Sequence, residues 1–138
     1  MDINDLVLSD EALSVVDEGR WMPAGDDAPD VEFLVTGMQS ESARKFIRSK
    51  QAELRTKNRG KPLSEDQYSE ITKEALVEHV LKDWRGLKSG GKDLPYSKDT
   101  AAKFIRSRGG ERFTLMVISA AQELDNNANA FVENAAKN

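Results

Sequence analysis

The sequence predicts an α+β fold, mainly α-helical, with four or five helices and a small amino-terminal β-hairpin. Three observations carry that prediction. Apolar residues recur at three-to-four spacing in two long runs, Tyr68, Ile71, Ala75, Val77, Val80, Leu81 and Trp84, then Phe113, Met116, Val117, Ala120, Ala121, Leu124, Ala128 and Phe131. Between residues 20 and 36, two short apolar runs flank a segment of turn-forming residues. Start and stop residues bracket the periodic runs. A chain of 138 residues suits one domain, 1–138, with a short helix and hairpin in 1–37 and a helical part in 38–138.

In chain order, Ser9 caps a first helix, with Asp10 and Glu11 facing the positive end of its dipole. Leu8 and Leu13 have the spacing of a hydrophobic staple, and Gly19 ends the helix. The segments 20–24 and 31–36 read as two strands joined by Gly25-Asp26-Asp27-Ala28-Pro29-Asp30, with Trp21, Phe33 and Val35 on one face. Pro23 places its strand at an edge. A helix then starts at Ser40 and runs to about Lys57, where Asn58-Arg59-Gly60-Lys61-Pro62 breaks it.

A long central helix opens at Ser64, where Gln67 completes a capping box and Leu63 and Tyr68 a staple. Its stripe is expected to end at Trp84, with Gly86 in a left-handed helix terminus. Pro95-Tyr96-Ser97 closes the corner that follows, and Ser97 caps the next helix, which carries Ala101, Phe104 and Ile105 and stops at Gly109-Gly110. Trp84 and Tyr96 thus anchor the two ends of the corner, and Phe113 and Phe131 sit in the stripe of the closing helix. No internal repeat at solenoid spacing is present.

Hydrophobic residues make up 38% and charged residues 32%, polar for a globular chain but short of the disordered class. The net charge of −4 argues against a general nucleic-acid binder. The charge is segregated: residues 1–33 hold ten acids against Arg20 alone, and residues 41–61 hold eight bases against Glu41 and Glu53. With no cysteine, disulfides and thiolate metal sites are excluded. No segment resembles a signal peptide or spans a bilayer, so a cytoplasm is the expected compartment and no membrane is expected as partner.

Each candidate for chemistry lacks a member. Gly86, Gly91 and Lys92 have phosphate-loop spacing, but Asp93 replaces the magnesium-binding hydroxyl and Leu94-Pro95 follows where a helix should begin. A polar turn is the plainer reading. His79 is the only histidine, without a nucleophile beside it, and reads as a helix-surface residue. Asp26, Asp27 and Asp30 lack the alternation, central glycine and closing glutamate of a calcium loop. The expectation is a non-enzymatic chain with no cofactor and no metal.

The strongest binding candidate is the basic helix 41–61. Arg44, Lys45, Arg48, Arg55 and Arg59 form a cationic face opposite the narrow stripe of Ala43, Phe46, Ile47 and Leu54. Such a face is usually solvated, and as a contact surface it suits an acidic protein or a phosphate backbone. No aromatic residue interleaves with the bases apart from Phe46, which the apolar stripe claims.

The order helix, Trp84-Arg85-Gly86-Leu87, Gly90-Gly91-Lys92, Leu94-Pro95-Tyr96-Ser97, helix and Phe-rich closing helix resembles the tail assembly chaperones of long-tailed, siphovirus-type bacteriophages. Val7-Leu8-Ser9-Asp10 and Gly19-Arg20-Trp21-Met22 fit the same pattern, so the likeness covers most of the chain. It implies a protein of virion morphogenesis in the host bacterial cytoplasm that binds the tape-measure protein, helps recruit tail-tube subunits, self-associates and is absent from the finished particle. It also tips the basic helix toward a protein partner. The alternatives are a small regulatory nucleic-acid-binding protein using the 41–61 helix and a structural tail completion protein. Many genes of that family make a longer product by ribosomal slippage, for which Lys137-Asn138 after an Ala136 codon ending in A can be written as A-AAA-AAC; lysine and asparagine are also ordinary residues at a frayed helix end.

Overall fold

The computed structural model describes residues 1–137, Lys137 by its backbone alone. The dipeptide read for ribosomal slippage therefore ends outside the described residues. The architecture is α+β and mainly helical: α1 (Asp10–Glu18), β1 (Arg20–Pro23), β2 (Glu32–Val35), α2 (Glu41–Lys57), α3 (Glu65–Ala75), β3 (Leu81–Arg85), β4 (Lys88–Ser89), β5 (Lys92–Asp93), α4 (Lys98–Arg106) and α5 (Glu111–Lys137). Short 3-10 turns cover Ile3–Asp5 and Arg108–Gly110.

The helix starts follow local chemistry. Ser9, Ser40, Ser64 and Ser97 each accept a backbone N–H in the first turn of α1, α2, α3 and α4, and Ser64 with Gln67 forms the full capping box. Neither expected staple holds its second member inside: Leu13 is 40% exposed and Tyr68 43%.

The central helix is shorter than its apolar stripe suggested. It is α-helical only to Ala75, widens into a π turn over Leu76–Val80, and at Leu81 the chain becomes extended as β3. Trp84 is therefore a strand residue and not the end of a helix. The sheet consequently has three antiparallel strands in the order β1-β2-β3, one more than a hairpin, and its third strand comes from the part expected to be helical.

Register decides which side chains face inward. Met22 pairs with Phe33 and Phe33 with Trp84, and all three are buried. Trp21 pairs with Leu34 and so lies on the opposite face from Phe33 and Val35, correcting the expected single row. There it is half-buried, with the Arg85 guanidinium 4.2 Å from its ring and Arg85 bonded to Glu32 at 2.8 Å.

α5 covers the inner face of the sheet. Phe113 meets Phe33, Trp84 and Phe104 edge to face, at 5.7, 5.9 and 6.1 Å. Farther along α5, Ala128 packs with Ala12 and Val16 of α1, while Arg20 stacks on the half-buried Phe131 ring at 4.0 Å. Gly86 does take a positive φ, 86°, but after a strand; a side chain there would collide with the Asp30 carbonyl oxygen. The segment read as a polar turn is a paired ribbon, with Lys88 opposite Asp93, Ser89 opposite Lys92, and Gly90-Gly91 at the tip.

Candidate interaction surface

α2 is held at its first turn by three acceptors from different parts of the chain. The Ser40 hydroxyl accepts from Ala43 N–H at 3.3 Å, Asp17 of α1 from Glu41 N–H at 2.9 Å, and Asp125 of α5 from Gln39 N–H at 3.2 Å. These satisfy donors that a helix start leaves open and set carboxylates at its positive end. Burial holds the Asp125 carboxyl above the ordinary aspartate range, while backbone N–H groups of Gln39 and Met38 pull it back. Gly37 leaves the space that Asp125 occupies.

At the other end, α2 and α3 form a helical hairpin whose tip is closed by side chains. Asn58 Nδ2 donates to Gln67 Oε1 at 2.9 Å, and Gln67 Nε2 donates to Asn58 Oδ1 at 3.1 Å. The apolar side of α2 turns inward, with Ala43 buried and Ile47 and Leu54 half-buried. Phe46 is half-buried too, its ring 4.8 Å from that of His79. His79 lies in the π turn, half-buried, and not on an open helix surface. Its neighbour Glu78 turns to Lys98, whose ammonium lowers the glutamate's pKa.

The cationic residues divide into two groups. Lys50 pairs with Glu53 and Glu74, at 3.6 and 3.8 Å, and Lys57 with Glu53 at 3.6 Å. Arg44, Lys45, Arg48, Arg55 and Arg59 are exposed, and among the described residues none makes an ion pair. At about 100° per residue, Arg44, Arg48 and Arg55 fall within about 40° of one another on the helix. Lys45 flanks this stripe, and Arg59 follows the helix in a left-handed backbone, φ 57°. Between α1 and α2, Arg44 and Arg48 border a groove of ≈ 290 Å³ with Leu13, Asp17, Gln39 and Glu41. The surface is thus a fixed row of unpaired cations with an exposed leucine beside its proximal end.

The structural anchors expected from the sequence are scattered about this surface rather than part of it. Trp84, Tyr96 and Phe113 meet in the core, Pro95 is exposed on the connection to α4, and Trp21 and Phe131 lie at the sheet. Asp17 and Asp125, which fix α2, carried no local sequence signal, because each acts on a helix distant in the chain. Among the described residues, no cluster of histidine and carboxylate side chains is arranged to hold a metal ion. No helix there is long and apolar enough to cross a membrane.

A family model described as YdaY prophage protein matches residues 38–138. The chain belongs to the YdaY prophage protein family. The match begins directly after Gly37 and spans α2 to α5, including β3, while α1, β1 and β2 precede it. In this YdaY family member the cationic stripe therefore lies wholly within the matched part, and the two strands that pair toward β3 lie before it. No curated protein and no solved structure matches the chain.

Proposed function

We propose that this prophage protein is a tail assembly chaperone: it binds the tape-measure protein through α2 and helps recruit tail-tube subunits, with no catalytic step. The observation that carries the reading is the unpaired cationic stripe beside Leu13, on a helix fixed at both ends. A long helical client, aggregation-prone through its apolar face, needs a partner that offers an apolar contact and charge together. The proximal groove has both, and its cations select clients whose helices carry acids beside the apolar stripe. Membership of a prophage family and the resemblance in residue order support the same role.

The test is co-expression with the tape-measure protein of the same prophage, with and without this chain. Soluble co-purification, reduced by Arg44→Glu with Arg48→Glu, is the expected result. A tape-measure protein equally insoluble in both cases sinks the proposal. The same unpaired arginines also suit a phosphate backbone; salt-sensitive retention on duplex DNA in place of client binding would favour a regulatory nucleic-acid binder. Recovery of the chain in purified virions would favour a tail completion protein.

A further inference from the structure

We infer that the distal end of the α2–α3 hairpin docks onto the acidic face of α1 in a second copy of this chain, giving a head-to-tail contact. The inference deepens the self-association that the chaperone resemblance implies by naming its surfaces, at the other end of α2, and its test uses this chain alone, so either reading can fail without the other.

The distal end carries Arg55, Arg59 and Lys61, all exposed and without ion pairs among the described residues. The neighbouring carboxylates Glu65 and Asp66 stand in the first turn of α3, where the helix dipole favours them. The complementary face is the outer side of α1. Asp10, Glu11 and Glu18 are exposed there, again without ion pairs, and Leu13 of the same helix is 40% exposed.

Geometry keeps these two faces apart within one molecule. α1 lies beside the first half of α2, where Asp17 accepts from the Glu41 N–H and Leu13 shares a groove with Arg44 and Arg48. From Glu41 to Arg55 the helix rises about 21 Å at 1.5 Å per residue. That exceeds about two screening lengths at physiological salt, so the α1 acids leave the distal cations uncompensated. A second copy supplies the missing countercharge at the same concentration.

In a head-to-tail contact one copy uses its hairpin tip and the other its α1 face, so the pair keeps one free end of each kind and association continues into rings or open chains. Glu11 and Glu18 lie about 20° apart around α1, and Leu13 is about 140–160° from them on the side of the α2 groove, so this contact is one of charge.

Sedimentation velocity of the full chain over a concentration series tests it. The wild type should associate at about 0.05 M salt and dissociate at about 0.5 M, where screening is strong. Arg55→Glu with Arg59→Glu, and separately Glu11→Lys with Glu18→Lys, should each weaken association at least about tenfold, about 1.4 kcal/mol. The chain carrying all four substitutions should regain association, because the charges are then exchanged and not removed. Circular dichroism establishes that each variant is folded. A wild type that stays monomeric at low salt overturns the inference. So does undiminished association in the α1 variant, or a folded four-substitution chain that remains monomeric.

Discussion

Trp84 donates its indole N–H to the Leu94 carbonyl at 2.8 Å, tying the last strand of the sheet to the exit of the lysine ribbon. Tyr96, two residues on, meets the Trp84 ring edge to face at 5.0 Å and donates its hydroxyl to the Leu81 carbonyl at 3.2 Å. Strand, ribbon and the start of α4 are therefore coupled through one aromatic pair, Trp84 buried and Tyr96 half-buried.

Trp84→Ala should cost about 3–5 kcal/mol, the range for emptying a buried large aromatic site. Trp84 is 4% exposed, and its removal also takes a partner from Phe113 and a donor from Leu94. Trp84→Phe should cost less, because the ring is partly kept and only the hydrogen bond is lost outright. Urea melts followed by circular dichroism decide the matter; an unchanged midpoint for the alanine variant would place Trp84 outside the core's energetics.

Gly86→Ala and Gly90→Ala separate close approach from backbone strain. Both glycines have positive φ, 86° and 57°, but a side chain at position 86 would meet the Asp30 carbonyl whereas position 90 is open. The alanine at 90 should cost about 1 kcal/mol, a left-handed backbone alone. The alanine at 86 should cost clearly more, with loss of the fit between the end of β3 and the β1–β2 connection. Equal losses in parallel denaturant melts would show that the approach to Asp30 relaxes freely.

What the sequence could reveal about the fold was local. The four serine helix starts were legible because a capping hydroxyl and the backbone N–H that donates to it lie within three residues. The third strand was not, for a specific reason. β3 carries an extra residue at its bulge, since Leu34 pairs with Asp83 but Val35 with Leu81. The bulge turns Leu81 and Trp84 to the same inward side at i, i+3, which is helical spacing. A strand thus continued the stripe of the preceding helix without a break in pattern. The face of Trp21 was likewise hidden, because a one-residue choice of register exchanges the two faces of a strand. At the candidate surface the charges were plain in sequence. Lys50 and Lys57 find Glu53 within a turn of their own helix, a pairing that spacing shows, and only the further pair of Lys50 with Glu74 depends on where α3 comes to lie.

Reversing Arg44, Arg48 and Arg55 to glutamate should leave the fold standing. All three are exposed and unpaired, and such surface changes usually shift stability by no more than about 0.5 kcal/mol each. Helicity by circular dichroism should be retained while association with the client or with a second copy falls. Loss of helicity would mean that these residues support the fold, and unchanged association would remove their role as a contact surface.

Asp125→Asn tests the tertiary cap on α2 through its pH dependence. Burial raises the Asp125 pKa above its unfolded value, although the backbone N–H groups of Gln39 and Met38 work in the other direction. Between the unfolded and the folded pKa, the folded state holds more protons than the unfolded state. The contribution of this group is therefore fully present below the unfolded pKa and is lost as pH rises through the folded one. Asparagine keeps an acceptor for Gln39 but does not titrate. The stability of the wild type relative to the variant should accordingly increase as pH falls from neutral through the folded pKa of Asp125, and level off below the unfolded one. Glu78, whose pKa Lys98 lowers, drives the opposite trend in each protein and cancels in the difference. Urea melts of both proteins across this range give that difference directly. A difference that stays flat would mean that Asp125 ionises as it does in the unfolded chain. A reversed slope would mean that the two backbone N–H bonds outweigh the cost of burial, and that the ionised carboxylate is what holds α2 in place.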